Sequence, residues 1–258
     1  QGCAANTLVA RYNHLEDVDA VLAAHGADLA AIVVEPVAAN VGLILPDADF
    51  LTGLRERATR AGALLIFDEV INGFRFTFGG YQNLCGVNPD LTCLGKIIGG
   101  GLPVGAIGGR ADIMERLAPL GDVYQAGTLS GNPVSVAGGL ATLRYLKENP
   151  PYAALRQKTE TLVAALKIGA SRRGIPVTIP TLGSVFSVFF GDLAVRDFDD
   201  VLRTDKDRYV RAFHVLLDRG VYMPPSAFEV SFLSIAHTDE HLERTIAAWN
   251  AAFEDLAS

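Results

Sequence analysis

The chain has 258 residues, 50% of them hydrophobic and 20% charged, with a net charge of -7. That length can bury one large core or two modest ones, and the composition excludes a disordered chain. The acidic balance argues against a nucleic-acid partner, and no apolar run approaches the ~18 residues that a membrane-spanning helix needs.

Cys3, Cys85 and Cys93 show no C-x-x-C spacing and are expected to be free thiols in a reducing cytoplasm. The chain opens on Gln1 in what reads as mid-domain sequence, without a basic region followed by an apolar one.

Ala31 to Val34, closing at Glu35 and Pro36, is continuously apolar and predicts a strand covered on both faces. Asp49 is placed to cap a helix whose apolar positions are Leu51, Leu54, Ala58 and Ala61, and Gly62 ends it. Ala63 to Phe67 then predicts a second strand closing at Asp68, which completes a β-α-β unit. A short strand is expected near Leu91 to Leu94, followed by the glycine-rich stretch Gly95 to Gly109 and a loop through Gly131. Asn132-Pro133 opens a helix that runs out at Lys147-Glu-Asn-Pro-Pro151, the expected domain boundary.

Beyond it a helix is predicted from Tyr152 to about Arg173, with strands around Val177 and from Gly183 to Phe190. The polar stretch Asp192 to Asp207 leads to a helix ending at Gly220, and short strands are expected near Val221 and Phe232. A last helix starts at Thr238, with Asp239 and Glu240 in its first turn and an apolar face of Leu242, Ile246, Trp249, Phe253 and Leu256. The fold class is therefore α/β: a larger domain with a mainly parallel sheet over residues 1–148, then a small α+β domain over 149–258.

Asp68 stands at the carboxyl end of a buried strand, where open α/β sheets place ligand groups. A carboxylate there calls for a cationic partner, unless it simply forms the turn after the strand. Lys96, flanked by Ile97, Ile98 and a glycine run, reads as a partly desolvated amine able to attack an aldehyde. Neither the Walker pattern nor G-x-G-x-x-G fits around it. Gly127 to Pro133 combines hydroxyls, glycines and a helix start, which suits either an anion site or ordinary capping. His237 and His241 lack a third ligand in any zinc pattern, and the mixed charges from Asp197 to Arg211 read as a solvated surface.

Together, Glu35-Pro36, Asp68-Glu-Val70, Leu94-Gly-Lys96 with its glycines, and Gly127-Thr128 ahead of Asn132-Pro133 resemble the class III, fold-type I aminotransferases. The stretches GALLIFDEV, LGKIIGGGLPVGA, VYQAGTLSGNP and RGVYMPPSAFEVSFLSIAHT carry the likeness over essentially the whole chain. Within the family the match is nearest to its intramolecular aminomutases.

The resemblance implies pyridoxal 5'-phosphate or pyridoxamine 5'-phosphate as cofactor, bound covalently at Lys96, which later moves protons on the substrate. It implies that Asp68 pairs with the ring nitrogen, Val70 packs on the ring face and Asn40 sits near the ring oxygen. It also implies that Gly127 and Thr128 reach the cofactor phosphate of a partner subunit in a homodimer, and that Glu229 lines the pocket of a small-molecule substrate. The family pattern has Gly where this chain has Ala39 and Met-Thr where it has Ile71-Asn72, changes that reshape a pocket without removing a reacting group. It also carries an N-terminal part, with the main phosphate loop, a stacking aromatic, a gating loop and a carboxylate-binding arginine, ahead of the segment resembling Gln1 to Asn13. An aminotransferase with an external amino donor and an inactive or regulatory fragment are the other readings; the cytoplasm is the expected compartment.

Overall fold

The computed structural model describes residues 2–257; Gln1, where the mid-domain start was read, and the side chain of Cys3 lie outside the described residues. The chain forms two compact units. One holds the residues up to Pro36 together with Pro46–Pro150, and the other holds Val37–Leu45 with the residues from Pro151 onward.

The first unit is built on helices α1 (Leu15–His25) and α2 (Phe50–Ala61) and strands β1 (Ala31–Val34), β2 (Leu64–Glu69), β3 (Leu91–Leu94) and β4 (Ala106–Gly109). The strands lie in sequence order, β1, β2 and β3 parallel and β4 antiparallel to β3. The glycine-rich stretch thus contains a strand that its composition hides, since glycine is depleted in strands. α2 ends as expected on Gly62 in the left-handed conformation.

Along β2 the side chains alternate: Leu65, Phe67 and Glu69 are buried, while Leu64, Ile66 and Asp68 are half-buried on the opposite face. Leu65 and Phe67 join Val18, Phe50, Leu51, Leu54 and Ala58 in one core under α1 and α2.

Asp90 locks this sheet at its amino-terminal side. Its carboxylate accepts from the Leu65 N–H at 2.8 Å, Arg55 at 2.7 Å and Arg110 at 2.9 Å. Burial opposes its ionisation, but the Leu65 amide and the two guanidinium groups prevail and hold its pKa at about 2.

Two local expectations are corrected. Val33 is 65% exposed, because β1 is an edge strand of the described sheet with one uncovered face. Asp49 does occupy the N-cap position of α2, yet its side chain makes no capping bond. Its backbone is near-helical rather than extended, which turns the carboxylate away from the first amides.

Helix α3 (Pro133–Glu148) closes the first unit, its N-cap Asn132 accepting from the Ser135 N–H at 3.0 Å. The second unit begins with α4 (Tyr152–Ser171) and continues through short antiparallel strands. β5 (Val177–Thr178) pairs with β8 (Phe189–Phe190), while β6 (Thr181–Leu182), β7 (Val185–Phe186) and β9 (Ser231–Phe232) form a second sheet. Helices α5 (Lys206–Asp218) and α6 (Asp239–Ala257) complete it. Trp249, Phe253, Phe190, Leu162 and Leu216 centre its core, and Leu242 and Leu256 of the expected α6 face are buried with them. Among the described residues no strand forms at Val221, and the polar stretch contains a short helix, Phe198–Leu202, capped by Asp197.

A single cut near 148/149 therefore differs from the units found by the return of Val37–Leu45 to the second. The bonds explain why. Ala38 and Ile44 bridge each other, the Gly42 N–H donates to the Phe228 carbonyl at 2.5 Å, and the Leu43 N–H donates to Ser187 Oγ at 3.0 Å. Among the described residues no helix is long and apolar enough to cross a membrane.

Candidate functional site

Parallel pairing of β2 with β3 sets Asp68 beside Cys93 and Glu69 beside Leu94. The carboxyl ends of two neighbouring strands therefore present Asp68 and, just beyond β3, Lys96. This is the end of a parallel sheet where ligands collect.

Asp68 Oδ1 accepts from the Val70 N–H at 3.0 Å, so Asp68 does form the turn after its strand. That bond leaves the rest of the carboxylate available, and Asp68 enters no ion pair among the described residues. The Cys93 thiol is pushed up by burial and further by the Asp68 charge beside it, so the carboxylate's field is felt across the strand pair.

Lys96 opens a single 3₁₀ turn, Lys96–Gly99, with φ of 48°. A positive φ costs a non-glycine residue about 1–2 kcal/mol, and such strain collects at functional sites. Contrary to the expected desolvation, Lys96 is exposed. The reason is local: the turn buries Ile98 and Gly99 and swings the lysine out at the strand end. Lys96 also enters no ion pair among the described residues.

Two packing contacts fix this turn. Val70 lies against the Gly95 backbone, where an added Cβ would stand 3.2 Å from Val70 Cγ1. On the other side Gly138 and Gly139 of α3 seat the helix directly on Ile98 and Gly99. A half-buried carboxylate, an amine without a counter-ion and an aliphatic side chain between them are a donor set that fits an aromatic aldehyde with a basic ring nitrogen. The residues present fit pyridoxal phosphate in that respect.

The remaining candidates lie elsewhere. Gly127 and Thr128 form an exposed turn before Asn132, and both the anion-site reading and ordinary capping bear on it. The capping is present, made by Asn132. Asn40 and Glu229 are exposed residues of the second unit. There the Ser187 hydroxyl links their segments by accepting from Leu43 N–H at 3.0 Å and donating to the Glu229 carbonyl at 3.4 Å. His237 and His241 each fold back onto their own chain, Nδ1 accepting from the Ser234 and Thr238 amides respectively.

Sequence reasoning missed Glu69, Asp90 and the glycine seat on α3. The signal for Glu69 was present: in Leu64-Leu-Ile-Phe-Asp-Glu69, period-two alternation puts Glu69 on the core face with Leu65 and Phe67. No comparable local signal marks the other two, whose partners are distant in sequence.

The class III aminotransferase family model matches residues 5–249. A glutamate-1-semialdehyde 2,1-aminomutase of Desulforudis audaxviator (strain MP104C) is 56% identical over 250 residues, covering 97% of this chain and 58% of that protein. Among solved structures, an omega-transaminase from Sphaerobacter thermophilus superposes with a TM-score of 0.88 at 31% identity, covering 96% of this chain and 57% of that one. A glutamate-1-semialdehyde aminomutase from Pseudomonas aeruginosa PAO1 in complex with PMP gives a TM-score of 0.85 at 26% identity, covering 97% and 57%. The chain thus spans a little over half the length of the relatives it matches.

Proposed function

This chain belongs to the class III aminotransferase family, and on that premise we propose that it carries the lysine-bearing part of an intramolecular aminomutase. The reaction is the conversion of glutamate-1-semialdehyde to 5-aminolevulinate, the entry to tetrapyrrole synthesis. The observation that carries this reading is the 56% identity to the Desulforudis aminomutase over 97% of the chain. The placing of Asp68 and Lys96 at adjoining strand ends supports it from the chemistry.

Pyridoxal or pyridoxamine 5'-phosphate would be the cofactor, and when bound it supplies an electron sink for the carbon that loses a proton. Lys96 Nζ would hold the cofactor's aldehyde carbon and would move protons between the substrate carbons, for which an exposed amine on a strained turn is well placed. Asp68 would accept from the protonated ring nitrogen with the lone pairs that the Val70 amide leaves over. Val70 would pack against the ring face, and by the family resemblance Asn40 would be the residue near the ring oxygen. Glu229 lines the substrate pocket. Gly127 and Thr128 reach the phosphate bound by a second copy, so the active unit is a homodimer. The full exposure of that turn, with Tyr124 82% and Leu129 73% exposed around it, supports a surface awaiting a partner.

The test is a product assay with glutamate-1-semialdehyde and no amino donor or acceptor. Wild-type protein is expected to form 5-aminolevulinate and Lys96→Ala to form none. A bound-cofactor absorbance band without product would sink the mutase reading. It would favour the second reading, a transaminase with an external donor, which the 31% identity and TM-score of 0.88 to the Sphaerobacter omega-transaminase also support.

A further inference from the structure

Glu69 has no exposed surface, and no cation pairs with it among the described residues. A buried carboxylate in that condition is costly unless hydrogen bonds replace its water. Here they come from one place. Oε2 accepts from the Tyr81 N–H at 2.6 Å, and Oε1 accepts from the Gln82 N–H at 3.2 Å and Gln82 Nε2 at 3.5 Å. The Glu69 main-chain carbonyl also accepts, from the Gly73 N–H at 2.8 Å. One residue thus ties down both the start and the end of the loop that runs from Val70 to Tyr81.

The tie leaves no slack. A Cβ at Gly80 would stand 2.3 Å from Glu69 Oε1, so only glycine lets the loop close on the carboxylate. Gln82 Nε2 donates onward to Thr92 Oγ1 at 3.2 Å, which fastens the closed loop to β3. The first residue of that loop is Val70, which touches Gly95 with its side chain and holds Asp68 with its amide. Each of these neighbours belongs to the cofactor wall as read above.

We propose that Glu69 is a positioning residue for the cofactor: its buried carboxylate closes the Val70–Tyr81 loop and so sets Val70 and Asp68 against the ring beside Lys96. The proposal rests on the functional reading of the same site. It differs from a purely structural role in requiring that the bound cofactor, and not only the fold, senses Glu69.

Glu69→Gln is the sharpest change, since it keeps the shape and turns an amide N–H₂ toward the Tyr81 or Gln82 N–H. Pyridoxal 5'-phosphate is titrated into the cofactor-free protein, with the circular-dichroism band of the bound ring read at saturation. Hydrogen exchange at Tyr81 and Gln82 is followed without cofactor. Glu69→Gln is expected to weaken cofactor binding about tenfold, to change the saturated band, and to speed exchange at both amides. Gln82→Leu, which spares the carboxylate and cuts the tie to Thr92, is expected to weaken binding by a smaller factor, about threefold. It decides alone if Glu69→Gln does not fold. A lower melting temperature with unchanged affinity and an unchanged band would overturn the proposal, as would unchanged exchange at the two amides. Wild-type protein that binds no pyridoxal phosphate is a separate result, which defeats the functional reading together with everything built on it.

Discussion

Replacing Gly139 by alanine tests how Lys96 is held. Gly139 is buried where α3 meets the turn that carries the lysine, and an added Cβ would stand 2.2 Å from the Ile98 carbonyl oxygen. The obstacle is backbone on both sides, so the seat has to open by about 1 Å before an ordinary contact is restored. Overpacking of this kind costs about 1–3 kcal/mol, and the better helix propensity of alanine returns about 1 kcal/mol. The net loss of stability is then about 0–2 kcal/mol, at most a few degrees in melting temperature for a chain of this size. The functional loss is expected to be larger, because misplacing a reacting group by about 1 Å can cost on the order of a hundredfold in rate. Gly138→Ala is the built-in control. Its Cβ would press on the tip of Leu102 at 2.7 Å, a flexible side chain that can turn away, and would reach the Gly99 carbonyl oxygen only at 3.4 Å, an ordinary contact. Thermal unfolding of the cofactor-free protein and the rate at saturating cofactor separate the two variants. If Gly139→Ala keeps the wild-type rate, or if Gly138→Ala suffers equally, the turn is not positioned by this seat.

Asp90→Asn removes the charge that gathers the Leu65 amide, Arg55 and Arg110. The depression of its pKa from 3.8 to about 2, on a side chain only 8% exposed, corresponds to about 2 kcal/mol. Because the folded pKa is lowered, that stability is complete above the unfolded value and is lost as pH falls through the folded one. Urea unfolding is expected to show a gap between wild type and variant at pH 7 that closes on acidification toward pH 2; a gap independent of pH would refute the assignment. Gly42→Ala puts a Cβ 2.4 Å from Phe189 Cζ at a φ of 78°, and is expected to destabilise the second unit by about 2–4 kcal/mol. Denaturant unfolding followed by the fluorescence of Trp249 reads this, and a loss below about 1 kcal/mol would show that the segment docks more loosely than its bonds suggest.

What could be read from sequence follows from the range of the forces involved. Strands β1, β2 and β3, helices α2, α3 and α4, and the long C-terminal helix all declare themselves through local periodicity and caps. So do Asp68 and Lys96, whose placement needs only a strand end and an adjoining loop. α1 was not anticipated, its few buried positions leaving Val18 as the one buried residue. β4 was hidden by glycines that are acceptable because an antiparallel edge pairing, not side-chain packing, holds it. The return of Val37–Leu45 to the second unit depends on Ser187 and Phe228, which lie far along the chain. No local pattern encodes that docking.

On the proposed reading, Asp68 and Glu69 let one dipeptide serve two tasks that would conflict on a single side chain. A carboxylate that meets a ligand has to keep free lone pairs and a share of solvent, while one that braces a loop is best when every oxygen is used and water is excluded. The two-residue period of a strand separates these demands without any further device, since neighbours must face opposite sides of the sheet. Asp68, half-buried, has one bond to its own turn and no ion pair among the described residues. Glu69, fully buried, has its pKa pushed up by the same burial that commits it to the Tyr81 and Gln82 amides. On the proposed reading the ligand-facing group would be steadied through Val70 by a neighbour that the ligand does not touch, and ligand contact alone would not locate every residue on which binding depends.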